Sequence, residues 1–210
     1  MNLFRLDASI LPTVSSSAEI ADLAEAEWTA AHPQGAVTRR HLGTDPLPAD
    51  AWALATTGAG TAEDDRSPAQ QQSLALAAEL AAELQEADTV ILAVPLYNYG
   101  VSQHFKAWVD LVIAGAGPTT PLLKGTPTVL ATTLGGGYGP GSPREGWDHS
   151  TPYLERVIAD IWQADLTLIK RELTLAATTP GMEALKDLAE QEHTRALAGA
   201  REAGRVLAAR

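Results

Sequence analysis

The chain has 210 residues, of which 45% are hydrophobic and 20% charged, and its formal net charge is −11. This is the composition of a globular protein that is long enough to bury a sizeable core, and its acidity argues against nucleic acids and anionic membranes as partners. The absence of cysteine excludes disulfides, thiolate metal sites and cysteine nucleophiles. Together with an N-terminus that reads as mature, it predicts a soluble, cytoplasmic protein.

Strands and helices are predicted to alternate from the N-terminus onward. A short strand over 3–7 is followed by Ser16 and Glu19 at capping-box spacing. Apolar residues then recur at helical spacing, and the helix is predicted to end before a second strand over 36–41. Residues 43–67 contain prolines, glycines and an acidic run, so we predict a long loop there.

The second half continues the alternation. Ser67 and Pro68 are typical of an N-cap and first helical position. The apolar run over 89–94 lacks polar alternation, as in a central parallel strand buried on both faces. The remaining predicted elements are a helix containing Phe105, a strand over 128–133, a helix containing Tyr153, a strand over 166–169 and a terminal helix after Pro180. The pattern predicts a single α/β domain over 1–210, with a doubly wound five-stranded parallel sheet and helices on both faces.

In such sheets a ligand binds beyond the carboxyl ends of the strands, so three turns are the candidate sites. The first turn has neither a dinucleotide fingerprint nor an ATP or GTP phosphate loop. It does place hydroxyls before a helix N-terminus, where backbone N–H groups can hold one phosphate. The candidate phosphate ligands are Ser9, Ser15, Ser16 and Ser17. The alternative is a serine-rich helix cap without a ligand.

The second and third turns suit a flat ring. Aromatic faces and a proline after the strand over 89–94 can lie along a conjugated ring system, although they could also cap the core. Glycines after the strand over 128–133 permit a close backbone approach, although a loop without a ligand would contain them too. The candidate ring-binding residues are Pro95, Leu96, Tyr97, Asn98 and Tyr99 in the second turn, and Thr133, Leu134, Gly135, Gly136 and Tyr138 in the third. One phosphate and a flat ring together describe FMN.

These motifs resemble the FMN-dependent NADH-azoreductase and NAD(P)H quinone oxidoreductase family, whose fold is flavodoxin-like. The resemblance covers essentially the whole chain. It rests on the serines of the first turn, the Pro95–Tyr99 run, the Gly135–Gly136 pair and the Thr151-Pro152-Tyr153-Leu154 sequence at a helix start. The Pro-x-Tyr-Asn sequence is the most specific of them.

The resemblance implies a homodimer with one FMN per chain and active sites between the subunits. NADH or NADPH would reduce the flavin, and a quinone, azo compound or similar small aromatic acceptor would then take two electrons in a ping-pong reaction. The chemistry belongs to flavin N5, so no catalytic side chain is expected. Tyr99, Trp147 and His149 are the candidate substrate-pocket residues. The histidines have no partners at metal-ligand spacing, and no metal site is predicted.

Three departures from the family pattern concern the acceptor pocket. Leu134 replaces the arginine of a Ser-Arg-Gly-Gly sequence, the segment 114–125 is short, and 159–163 lacks the usual glycine-rich, phenylalanine-containing sequence. The physiological acceptor and the choice between NADH and NADPH therefore stay open. The alternatives are a dedicated quinone- or polyketide-modifying reductase in biosynthesis, a flavodoxin-like electron carrier without its own substrate, and a regulator that has lost the cofactor.

Overall fold

The computed structural model describes all 210 residues, Met1–Arg210. Its strands are β1 Asn2–Asp7, β2 Ala36–His41, β3 Thr89–Ala93, β4 Leu96–Tyr97, β5 Gly100–Val101, β6 Pro127–Thr133 and β7 Asp165–Arg171. Five of them form a parallel sheet in the order β2-β1-β3-β6-β7, and β4 and β5 form a separate hairpin. Counting only the sheet strands, this is the 2-1-3-4-5 order of flavodoxin-like folds.

Six helices accompany the sheet: α1 Ser16–Ala31, α2 Ala51–Ala59, α3 Pro68–Gln85, α4 Gln103–Ala116, α5 Thr151–Glu155 and α6 Lys186–Ala208. The smaller of two buried apolar clusters joins α1 and α6 to one face of the sheet. The larger cluster joins α2, α3, α4 and α5 to the other face. The predicted doubly wound fold with helices on both faces is therefore confirmed. None of the helices combines the length and hydropathy needed to cross a membrane.

The prediction of a long loop over 43–67 is wrong, because this segment contains α2 and a 3₁₀ turn over Glu63–Asp65. Ala51 and Ala55 are buried in the larger core. Gly58 faces α3 so closely that a Cβ there would lie 3.0 Å from the Gln70 Cβ. The four alanines and Leu54 of α2 favour a helix, and packing helps to outweigh the lower helix propensity of its glycine and two threonines.

Smaller differences concern element ends. The N-cap of α1 is Ser15, whose hydroxyl accepts from the Ala18 N–H, so the predicted Ser16–Glu19 capping box is wrong by one residue. The capping box at Ser67 is present. The helix containing Tyr153 changes after α5 into a π-helical turn over Arg156–Ile161, and the terminal helix begins only at Lys186.

Strand β1, which lies between β2 and β3, contains a buried cation. Arg5 is 6% exposed, and its guanidinium donates to Asp7 at 2.9 and 3.1 Å, to Asp22 at 2.6 Å and to Glu25 at 3.0 Å. Burial acts to raise the pKa of Glu25, but the hydrogen bonds from Arg39 and Arg5 outweigh it and hold this pKa below its usual value. The network connects β1 and β2 to α1.

Candidate functional site

The three predicted turns meet at the carboxyl edge of the sheet. β1, β3 and β6 are adjacent parallel strands, so the residues that follow them leave the same edge. Side chains hold the strand ends together there. The Thr132 hydroxyl donates to the Val94 carbonyl at 2.9 Å, and the Ser102 hydroxyl donates to the Ala8 carbonyl at 3.3 Å.

Ser9 connects the first turn to the second. Its side chain is buried, and its hydroxyl lies 3.1 Å from the Tyr97 hydroxyl. The Ile10 N–H donates to the same Tyr97 oxygen at 3.2 Å, and the Leu11 N–H donates to the Ser9 hydroxyl at 3.1 Å. Both predicted residues thus belong to one hydrogen-bonded unit.

The other three serines form the start of α1. The Ser15 hydroxyl accepts from the Ala18 N–H at 3.2 Å and lies 3.1 Å from the hydroxyl of the fully buried Ser17. The backbone N–H groups of Ser16 and Ser17 have no acceptor within the chain. Because they lie at the positive end of the helix dipole, they can hold an anion. A 610 Å³ cleft that opens toward α6 borders Ser15 and Ser16.

The second turn is a tight hairpin that presents Tyr99. β4 and β5 pair Tyr97 with Gly100, and the two residues between them, Asn98 and Tyr99, have φ values of 48° and 68°. Two positive φ values are those of a type I′ turn, which matches the twist of a hairpin. Asparagine tolerates this conformation, but for tyrosine it costs about 1–3 kcal/mol, a strain that is concentrated at functional sites.

Tyr99 is the centre of an aromatic cluster formed by Tyr99, Tyr138 and Trp147. The Tyr99 ring packs edge-on against Tyr138 at 6.5 Å and against Trp147 at 5.6 Å between centroids. The His149 N–H donates to the Tyr99 carbonyl at 3.0 Å. Tyr99 and Trp147 are 42% and 51% exposed, so the cluster presents its rings to solvent. The structure therefore brings together the predicted pocket residues Tyr99, Trp147 and His149.

The glycines of the third turn have a packing role that we did not predict. A Cβ at Gly135 would lie 2.7 Å from the Leu175 Cδ1, and one at Gly136 would lie 2.6 Å from the Arg144 Nη1. Glycine is therefore needed at both positions because the side chains of Leu175 and Arg144 approach the backbone closely, not only because a ligand could do so. Thr133 and Leu134 are buried beneath them.

Glu172 and Arg144 were not among the predicted site residues. The Glu172 carboxylate accepts from the backbone N–H groups of Tyr138 and Gly139 at 2.7 and 3.3 Å, which orders the glycine-rich loop. Burial raises the pKa of the Tyr138 hydroxyl, and the charge of Arg144 opposes this only in part. The phenol is therefore neutral at physiological pH. No sequence spacing connects positions 138, 144 and 172.

Pro95 and Leu96 are buried at the start of the hairpin, so their side chains support the second turn. In α5, burial and the nearby carboxylate of Asp110 raise the pKa of Tyr153 to about 12. No group of three histidine, aspartate or glutamate side chains is arranged to hold a metal ion.

Comparison with known protein families assigns the fold. A family described as having a flavodoxin-like fold matches residues 1–196. The chain belongs to this family. Among its relatives, the FMN-dependent NADH:quinone oxidoreductase of Frankia casuarinae is 36% identical over 95% of this chain and 97% of its own length. The protein of the same description from Kineococcus radiotolerans is 40% identical over 98% and 99%.

Solved structures agree on the fold. The azoreductase AzrA superposes with a TM-score of 0.75 at 21% identity, and the match covers 100% of both chains. An FMN-dependent NADH-azoreductase from Bacillus anthracis, solved in complex with FMN, has a TM-score of 0.70 at 15% identity, with 95% of this chain and 100% of that one covered. At these identities the likeness concerns the fold alone.

Proposed function

We propose that this flavodoxin-like protein is an FMN-dependent oxidoreductase that uses NADH or NADPH to reduce quinones, azo compounds or similar aromatic acceptors. The observation that carries the proposal is the meeting of three turns at one sheet edge, with free N–H donors at α1 on one side and exposed aromatic rings on the other. FMN needs both, because it has one phosphate and one flat ring. The names of the relatives support the same cofactor and reaction.

The first turn offers the kinds of hydrogen-bond donor that the FMN phosphate requires. The unpartnered N–H groups of Ser16 and Ser17, with the hydroxyls of Ser9, Ser15 and Ser17, would hold the phosphate without a lysine. The flavin would accept a hydride from the nicotinamide and pass two electrons to the acceptor.

The other two turns would support the ring. Backbone groups of Pro95 to Asn98 and of Thr133 to Gly136 would hold it, and the strained Asn98–Tyr99 turn would present Tyr99 to it. The predicted pocket residues Tyr99, Trp147 and His149 would exclude water and stack on the acceptor. Tyr138, neutral at physiological pH, would donate a hydrogen bond without adding a charge.

The proposal includes a cytoplasmic homodimer. Large apolar side chains near the sheet edge are exposed in the single chain, which is unfavourable unless a ligand or a second subunit covers them. They are Ile10, Leu11, Val14, Tyr99 and Trp147, and Trp52 is exposed on α2.

The test begins with absorption spectra. Purified protein is expected to be yellow or to take up one FMN per chain, and to take up no FAD. Anaerobic NADH or NADPH is then expected to bleach the flavin band, and a quinone or azo dye is expected to restore it. Protein that cannot be reconstituted with FMN would refute the proposal. A flavin that is bleached by dithionite but by neither nicotinamide would favour the electron carrier.

A further inference from the structure

Arg144 is an unpaired cation in a chain of net charge −11. The carboxylates around it are engaged elsewhere. Glu145 accepts from the Gly141 N–H at 2.8 Å, and Glu172 and Asp148 accept from other backbone N–H groups at 2.7 and 2.9 Å. No salt bridge joins any of the three to Arg144. The guanidinium is thus free to bind an anion from outside the chain.

The backbone holds Arg144 beside the aromatic cluster. Its Nη1 and the Tyr138 ring both lie over Gly136, at 2.6 and 3.7 Å from the position of a Cβ there, so a larger residue would displace the guanidinium. The Trp147 N–H donates to the Arg144 carbonyl at 3.0 Å, and Gly146, with φ at 78°, provides the positive φ that a type II turn needs at its third position. Arg144 and Trp147 therefore stand at the two ends of one turn.

We propose that Arg144 selects anionic aromatic acceptors, such as sulfonated or carboxylated quinones and azo compounds. This inference rests on the proposed function. The exposed rings of the aromatic cluster would stack on the acceptor, and the guanidinium would bind the sulfonate or carboxylate through two parallel hydrogen bonds. Without such a cation, the net negative charge of the protein would repel these acceptors.

The test compares a charged and a neutral acceptor of the same skeleton, 1,2-naphthoquinone-4-sulfonate and 1,2-naphthoquinone, in the FMN-loaded enzyme. For each variant we measure the ratio of kcat/KM for the sulfonate to kcat/KM for the neutral quinone. Comparing this ratio between variants cancels the different reactivities of the quinones. Arg144→Ala is expected to lower it about fivefold, as for loss of an exposed ion pair. Arg144→Lys is expected to retain part of it, since the charge remains but the two parallel hydrogen bonds do not.

A binding measurement accompanies the kinetics. The Kd of anthraquinone-2-sulfonate for the oxidised, FMN-loaded protein is measured by calorimetry. It is expected to be about fivefold higher in Arg144→Ala than in the wild type. Higher salt is expected to narrow the difference between wild type and variant, because exposed charges are screened. Arg156→Ala is the matched control. It removes one exposed arginine, paired with Asp160, and lowers the net charge equally. It is expected to leave the ratio and the Kd unchanged.

Three results would overturn the inference: an unchanged ratio in Arg144→Ala, a loss in Arg144→Lys as large as that in Arg144→Ala, or a rise in the KM for NADH in place of the change in acceptor preference. The last result would assign Arg144 to the nicotinamide phosphates. Failure of the proposed function is distinguishable, because wild-type protein would then bind no FMN or reduce neither quinone.

Discussion

At the residue scale, Ser9 and Ser17, the proposed phosphate ligands, also serve the fold. Ser9 binds the Tyr97 hydroxyl and Ser17 binds the Ser15 hydroxyl, so neither side chain is free in the chain alone. Their hydroxyls can exchange these neutral partners for a phosphate, whose charge makes each hydrogen bond stronger. The cost of removing them should therefore appear mainly in cofactor binding.

The double variant Ser9→Ala, Ser17→Ala is expected to weaken FMN binding at least about tenfold, since each charge-assisted bond contributes about 1.5–3 kcal/mol. Its folded state should lose less, about 0.5–1.5 kcal/mol for each neutral bond. Fluorescence titration of the apoprotein measures the first effect and thermal unfolding the second. Thr128→Val, which removes a hydroxyl bond at the opposite sheet edge, is the control and should leave FMN affinity unchanged. Wild-type affinity in the double variant would move the phosphate site elsewhere.

Glu25 makes stability depend on pH. Because its folded pKa is lowered, its carboxylate contributes stability above the unfolded value of about 4.3, and this contribution is lost as pH falls through the folded pKa. Glu25→Gln is expected to lower the free energy of unfolding by roughly 1–3 kcal/mol at neutral pH. Urea unfolding should show this difference narrowing below about pH 4.

The exposed Glu63 offers a comparison, because Glu63→Gln removes the same charge outside any ion pair. If the difference in the free energy of unfolding between wild type and Glu25→Gln stayed constant from neutral to acidic pH, the proposed role of the Glu25 charge would be contradicted.

At the scale of elements, two helical glycines should respond oppositely to alanine. A Cβ at Gly115 in α4 would lie 2.1 Å from the Ala77 carbonyl oxygen of α3, whereas one at Gly199 in α6 would meet nothing within 4 Å. Gly115→Ala is expected to cost about 1–3 kcal/mol through overpacking. Gly199→Ala is expected to stabilise by about 0.5–1 kcal/mol through helix propensity. Urea unfolding of both variants tests this, and destabilisation by Gly199→Ala would show that α6 packs differently.

Periodic elements could be predicted from the sequence, whereas α2 and the β4–β5 hairpin could not. Residues 89–94 and the stripe behind Ser67 have patterns that belong to one element type. α2 has only nine residues, which include a glycine and two threonines, and packing on α3 and the core stabilises the helix that its four alanines favour. The hairpin has two residues in each strand and a tyrosine at positive φ, a conformation that no local preference favours.

The same distinction applies to the site. The serines, Tyr97 and Tyr99 follow strands directly, so the parallel sheet itself brings them together. Arg144 and Glu172 reach the third turn from a loop and from beyond β7, and only the three-dimensional path of the chain places them there.

At the scale of the whole molecule, the expected state is a homodimer. A chain of 22.1 kDa should then give about twice that mass by light scattering at micromolar concentration. A stable interface of that kind buries about 1,200–2,000 Å² in total, enough to cover the exposed side chains at the sheet edge. If the active site lies between subunits, dilution below the dimer Kd should lower activity per chain. A monomeric mass with full activity would contradict this arrangement.

The buried guanidinium of Arg5 also bears on how the sheet assembles. Since side chains alternate between faces, shifting β1 by one residue against β3 would turn Arg5 into the larger apolar core and turn Phe4 and Leu6 away from it. Asp7 lies on the same face of β1 and would move with Arg5, but the guanidinium would lose Asp22 and Glu25 of α1 and both charges would enter the apolar core, which would cost about 3–5 kcal/mol. The ion pairs between Arg5 and α1 thus favour the native alignment of the first strand over one shifted by a residue.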